Sequence, residues 1–166
     1  MSRFSAIAAL SVLASTIPSL FASPPAGFPA TPEDLRGMAT LSCSGVLVRL
    51  GRGADQPAVL LTNGHCARTR MIDPDDAVVD VPYERGKVSI YLGGDAPVEI
   101  APTRILYATM TGTDIALIEV RPTYRDLEAN GARVYEISDV DAKADASVQI
   151  VSGYWKEKQL CAVSHT

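Results

Sequence analysis

The sequence predicts an all-β fold of antiparallel strands, arranged as a barrel or a sandwich. Six short apolar or β-branched runs fall between residues 41 and 120. Clusters of Gly, Pro and Asp separate them, and no helical units alternate with them as a parallel sheet would require. The length of 166 residues suits one full-sized domain and is too short for two. Hydrophobic residues make up 47% and charged residues 20%, which is ordinary globular usage and excludes wholesale disorder. The formal net charge of -4 offers no basic surface on average to neutralise phosphates, so nucleic acid is not an expected partner. No apolar run is long enough to cross a bilayer, which argues against an integral membrane protein.

The elements follow in chain order. Met1-Ser2-Arg3-Phe4 carries a positive charge, residues 4–17 are apolar or small, and Leu20-Phe21-Ala22 ends on a small residue. That is the layout of a secretory signal peptide over residues 1–22, the alternative being an uncleaved anchor. Ser23-Pro24-Pro25-Ala26-Gly27 is poor core sequence, so residues 23–38 read as a flexible leader and the folded part is expected to start near Thr40. Residues 41–50 read as a first strand and 58–62 as a second, joined across the turn cluster 51–57 into a hairpin with a long tip. Residues 68–87, with Asp73-Pro74-Asp75-Asp76 at their centre, read as a long surface loop. Four more strands are expected at 88–92, 98–101, 105–109 and 114–120, which completes a unit over residues 39–122. Residues 124–130 allow one or two helical turns ending at Gly131, inside a linker spanning 123–145. Residues 148–153 begin a new strand, and 146–166 leave room for two.

Export makes the expected location extracellular or periplasmic, with no stable membrane insertion once the signal is cleaved. An oxidising compartment permits disulfides. The three cysteines, Cys43, Cys66 and Cys161, are an odd count that leaves one thiol without an internal partner. A zinc site on Cys43, His65 and Cys66 is conceivable, but adjacent His and Cys side chains point apart on an extended segment and there is no CxxC pair. The acidic cluster at residues 73–76 lacks the ligand spacing and turn glycine of a calcium loop. No metal and no cofactor is expected.

Two pieces carry chemistry. His65 follows an apolar strand in Leu61-Thr62-Asn63-Gly64-His65-Cys66, and Asp114 opens one in Thr113-Asp114-Ile115-Ala116-Leu117. A histidine takes a proton from a hydroxyl near neutral pH, and a carboxylate on its far nitrogen holds the tautomer and stabilises the imidazolium. Taken singly, a histidine at a strand end is more often a surface residue, and an aspartate after Gly112 more often caps a turn. Only a fold that joins the two gives them this role.

In this order the motifs resemble the trypsin/chymotrypsin-like family of secreted serine endopeptidases. Cys43-Ser44-Gly45-Val46-Leu47-Val48 is similar to the family's first strand, the His65-Cys66 segment to its catalytic-histidine motif, and Asp114-Ile115-Ala116-Leu117 to its catalytic-aspartate motif. The family usually has alanines where Asn63 and Gly64 stand. The resemblance implies that residues 39–122 form the first, six-stranded β-barrel of a double-barrel fold, and that residues 146–166 begin a second, incomplete one. It implies that His65 is the general base and acid, that Asp114 orients it, that Cys43 pairs with Cys66, and that the substrate is a polypeptide. It also places the nucleophilic serine in a glycine-rich loop of the second barrel. Ser138, Ser147, Ser152 and Ser164 lack that setting. The chain thus reads as an N-terminal portion of a serine endopeptidase, inactive as given. The alternative is a noncatalytic secreted β-barrel that uses the same scaffold for binding.

Overall fold

A computed structural model describes residues 27–67 and 70–164. The expected signal peptide and His165 lie outside the described residues. Among them, no helix is long and apolar enough to cross a membrane. The elements run β1 (Phe28–Pro29), α1 (Pro32–Leu35), β2 (Met38–Thr40), β3 (Ser44–Arg49), β4 (Pro57–Thr62) and α2 (Gly64–Ala67). They continue with β5 (Ala77–Pro82), β6 (Val88–Ile90), β7 (Val98–Ile100), β8 (Pro102–Thr109) and β9 (Ile115–Thr123). The last are α3 (Tyr124–Ala129), β10 (Tyr135–Glu136), β11 (Ser147–Ser152) and β12 (Glu157–Ala162).

The fold is mostly β, and its main sheet is antiparallel and curls into a half-barrel. The hydrogen-bonded order is β5-β8-β9-β4-β3-β2-β6-β7, eight strands where the sequence suggested six. The short β10 adds a parallel pairing at Val48 and Arg49, beyond the part of β3 that β2 covers. Alternation along β9 explains the curl's inner face: Ala116, Ile118 and Val120 are fully buried, while the residues between them are only partly so. Leu47, Leu60, Ile90, Ile105 and Ala108 complete this core.

Two expectations needed correction. The surface loop expected at 68–87 contains β5, which pairs antiparallel with β8 from Ala77 opposite Thr109 to Pro82 opposite Arg104. The described residues on either side of β5, 70–76 and 83–87, are loop as expected, and Asp73–Asp76 forms a turn closed by the Asp76 N–H donating to the Asp73 carbonyl at 3.1 Å. The flexible leader is ordered where it is described. Thr31 caps α1 in a reciprocal box with Asp34, and Pro32 sits in the first helical turn, where its missing N–H costs nothing. The linker also carries structure: Thr123 and Asp126 form a second capping box for α3, which ends as expected at Gly131, whose φ is +98°. Tyr124 then reaches back and donates its hydroxyl to the buried Val48 carbonyl at 2.8 Å.

β11 and β12 form an antiparallel hairpin to which β1 adds a third strand. Polar contacts bind this small sheet to α1 and to β3, and Val151 packs beside Met38 and Tyr91. Asp34 accepts from Lys158 at 2.8 Å and from Gln149 at 2.9 Å, and the hydroxyls of Ser44 and Ser152 lie 2.8 Å apart. At the hairpin's tip, Gly153 packs so closely on β2 that an added Cβ would meet the Ala39 carbonyl oxygen at 2.8 Å.

Candidate functional site

Strand pairing brings His65 and Asp114 together. β4 and β9 are antiparallel neighbours with Thr62 opposite Ala116, so the residues just after β4 lie beside those just before β9. The chain turns there into the single-turn α2, started by the Cys66 N–H donating to the Asn63 carbonyl at 3.1 Å. Gly64 permits this approach. A Cβ at that position would run into the Thr109 carbonyl oxygen of β8 and lie 3.1 Å from Asp114 Oδ1. This packing therefore demands glycine at position 64.

The two side chains are joined directly: His65 Nδ1 and Asp114 Oδ2 are 2.5 Å apart. The other carboxylate oxygen accepts the His65 backbone N–H at 3.0 Å. Asn63 Nδ2 adds a longer contact, donating to the Asp114 carbonyl at 3.4 Å. Burial pushes the Asp114 carboxyl up, but donation from the His65 ring and backbone and from the Gly64 N–H outweighs it, so the group lies below its ordinary value. A carboxylate held in this way accepts the Nδ1 proton, which leaves the Nε2 lone pair free in the neutral ring. The pair sits at the surface, with side chains 42% and 35% exposed.

Nε2 faces Cys43 Sγ at 3.4 Å. Cys43 is bonded to Cys66, with Cα atoms 6.1 Å apart, within the usual span for a disulfide. A disulfide sulfur carries no proton, so this is a contact and not a donated hydrogen bond. The bridge joins the segment preceding β3 to the buried face of α2, while Cys161 on β12 is free. The premise that His65 and Cys66 point apart fails because the segment is helical and not extended. The ligand atoms of Cys43, His65 and Cys66 all lie within 4.8 Å of one another.

An open cavity of about 470 Å³ adjoins His65. Ser42, Cys43, Ser44, Asn63 and His65 line one side of it, and Ser152, Tyr154 and Trp155 line the other. Ser44 and Ser152 are occupied with each other and with the hairpin tip: Tyr154 N–H donates to Ser44 Oγ at 3.2 Å and Trp155 N–H to Ser152 Oγ at 3.1 Å. Among the described residues no hydroxyl is hydrogen-bonded to His65. Sequence reading missed the aromatic pair at this rim, Tyr154 and Trp155, whose rings meet edge to face with centroids 5.0 Å apart. The signal was present in Ser152-Gly153-Tyr154-Trp155, a turn sequence ending a strand, but nothing in it told which surface the turn would meet.

No family model, no curated protein and no solved structure matches this chain.

Proposed function

We propose that His65 and Asp114 are the base and the orienting carboxylate of a serine-type endopeptidase. The observation that carries this reading is the 2.5 Å Nδ1 to Oδ2 contact, made beside an open cavity by two residues 49 apart in sequence. In the reaction, Nε2 removes the proton of a serine hydroxyl as its oxygen bonds to the scissile carbonyl carbon. The imidazolium, stabilised by Asp114, then returns that proton to the departing amine nitrogen as the C–N bond breaks. The resemblance puts the serine and its oxyanion-binding N–H groups in a completed second barrel. The curled antiparallel main sheet is compatible with the wall of a first barrel, although its hydrogen-bonded order holds eight strands and not six. The disulfide is compatible with an extracellular or periplasmic location.

A second reading, a binding module on this scaffold, is favoured by the exposed Tyr154 and Trp155 at the cavity rim, since Tyr and Trp supply rigid amphipathic contact area. Fluorophosphonate labelling of the product of the whole reading frame separates the two. The peptidase reading expects one labelled serine and a loss of labelling rate of about 10⁴-fold or more in His65→Ala. The 166-residue chain is expected to stay unlabelled. A whole product that is never labelled, or that His65→Ala labels equally fast, removes the peptidase reading and leaves the binding module.

A further inference from the structure

The closeness of Cys43, His65 and Cys66 has a chemistry of its own. Their three ligand atoms lie within 4.8 Å of one another, and Nε2 is 3.4 Å from Cys43 Sγ. A tetrahedral zinc-type ion, with sulfur at about 2.3 Å and nitrogen at about 2.0 Å, holds those two donors about 3.5 Å apart. An independent observation comes from the other ring nitrogen. Metal-binding histidines nearly always donate their second N–H to a carboxylate, a backbone carbonyl or a water, which fixes the tautomer and turns the lone pair toward the ion. Asp114 accepts from Nδ1 at 2.5 Å and is itself held by the His65 N–H, so the imidazole already stands in that orientation.

The geometry points to a redox-gated metal site: once the Cys43–Cys66 disulfide is reduced, the two thiolates and His65 Nε2 bind a divalent cation of zinc type. The reductant is a dithiol. It is oxidised to its cyclic disulfide as the Cys43–Cys66 bond breaks, and two electrons and two protons pass to the cysteine sulfurs. The cation then displaces both thiol protons to solvent, forming two metal–sulfur bonds and one metal–nitrogen bond. The two thiolates balance its charge. Cys43 and His65 line the open cavity, which leaves the fourth position to water. Such an ion occupies the Nε2 lone pair, so it would silence proton transfer by His65. This last consequence rests on the peptidase reading, whereas metal binding does not.

The test is a cobalt titration of the full chain, oxidised and dithiol-reduced, followed by the absorption of tetrahedral cobalt with thiolate ligands and by far-ultraviolet circular dichroism. One equivalent is expected to bind the reduced chain and none the oxidised one. Cys161→Ser and His165→Ala should leave the spectrum intact, while His65→Ala should lose it. Asp114→Asn should weaken binding about 10–100-fold through the ring it orients. A reduced chain that keeps its β signal yet shows no tetrahedral cobalt overturns the proposal, as does a spectrum indifferent to His65→Ala. If reduction unfolds the chain, cobalt must restore the β signal; binding that leaves it unfolded and ignores Asp114→Asn also overturns it. None of these readouts involves a serine or a peptide substrate, so the cobalt result and the labelling result fail separately.

Discussion

Asp114 receives donors from one short stretch of chain, the His65 ring, the His65 N–H and the Gly64 N–H, and this concentration makes Gly64 a sensitive position. A methyl group there has backbone on one side and the carboxylate on the other, neither of which can swing away as a flexible side chain would. Gly64→Ala should lower stability by about 1–3 kcal/mol, the usual cost of overpacking, and should shift α2 away from β8. Urea unfolding checks the first part, and the His65 ring proton chemical shifts check the second. An unchanged midpoint with unchanged shifts would mean that α2 has room to spare. His65 and Asp114 were both legible as candidates because each stood at a strand boundary in a recognisable motif. Their contact was not legible, since the chain between two residues 49 apart could have been routed in many ways.

At the scale of elements, the hairpin β11–β12 is held by charge as well as by the burial of Val151 against Met38 and Tyr91. Asp34, with its side chain only 16% exposed, accepts from Lys158, Thr31 and Gln149, and these donors hold its carboxyl well below the ordinary carboxylate range. A depressed folded-state value means that the contribution to stability is complete above the unfolded value of about 4 and is lost as pH falls below it. Asp34→Asn should therefore be less stable than the parent at neutral pH, and the difference in urea midpoint should close as the pH is taken below about 4. A difference that stayed constant with pH would remove the ion from the account. The elements differ in how far their residues announce them. β9 was readable because Ala116, Ile118 and Val120 alternate with less buried residues, as a strand packed on one face requires. β5 was not. It is an exposed edge strand beside an Asp-rich turn, and its Asp80 points to an ion pair with Arg104 instead of to a core. α1 was missed although its signal stood in the sequence, Thr31 and Asp34 three apart with Pro32 between them, because the surrounding prolines suggested a leader.

For the whole molecule, the Cys43–Cys66 bridge is the link between the half-barrel's strands and the segment that carries His65. Closing a loop of about 24 residues stabilises a fold by about 3.5 kcal/mol in the chain-entropy view. The double variant Cys43→Ala with Cys66→Ala should lose about that much in urea unfolding, and exchange broadening of the His65 ring resonances should increase. A loss below about 1 kcal/mol would mean that packing of α2 against β8 and β9 already holds the site. What the sequence alone determined was local: strand-forming runs, the glycine that ends α3, and the residue types able to carry a proton. These depend on neighbours a few residues away, which the chain itself displays. Only the tertiary structure decided that Thr62 lies opposite Ala116, that His65 consequently meets Asp114, and that the Tyr154–Trp155 tip comes down beside them. The reason is that pairing between distant strands is set by how all of them together bury their apolar faces, and no single segment contains that information.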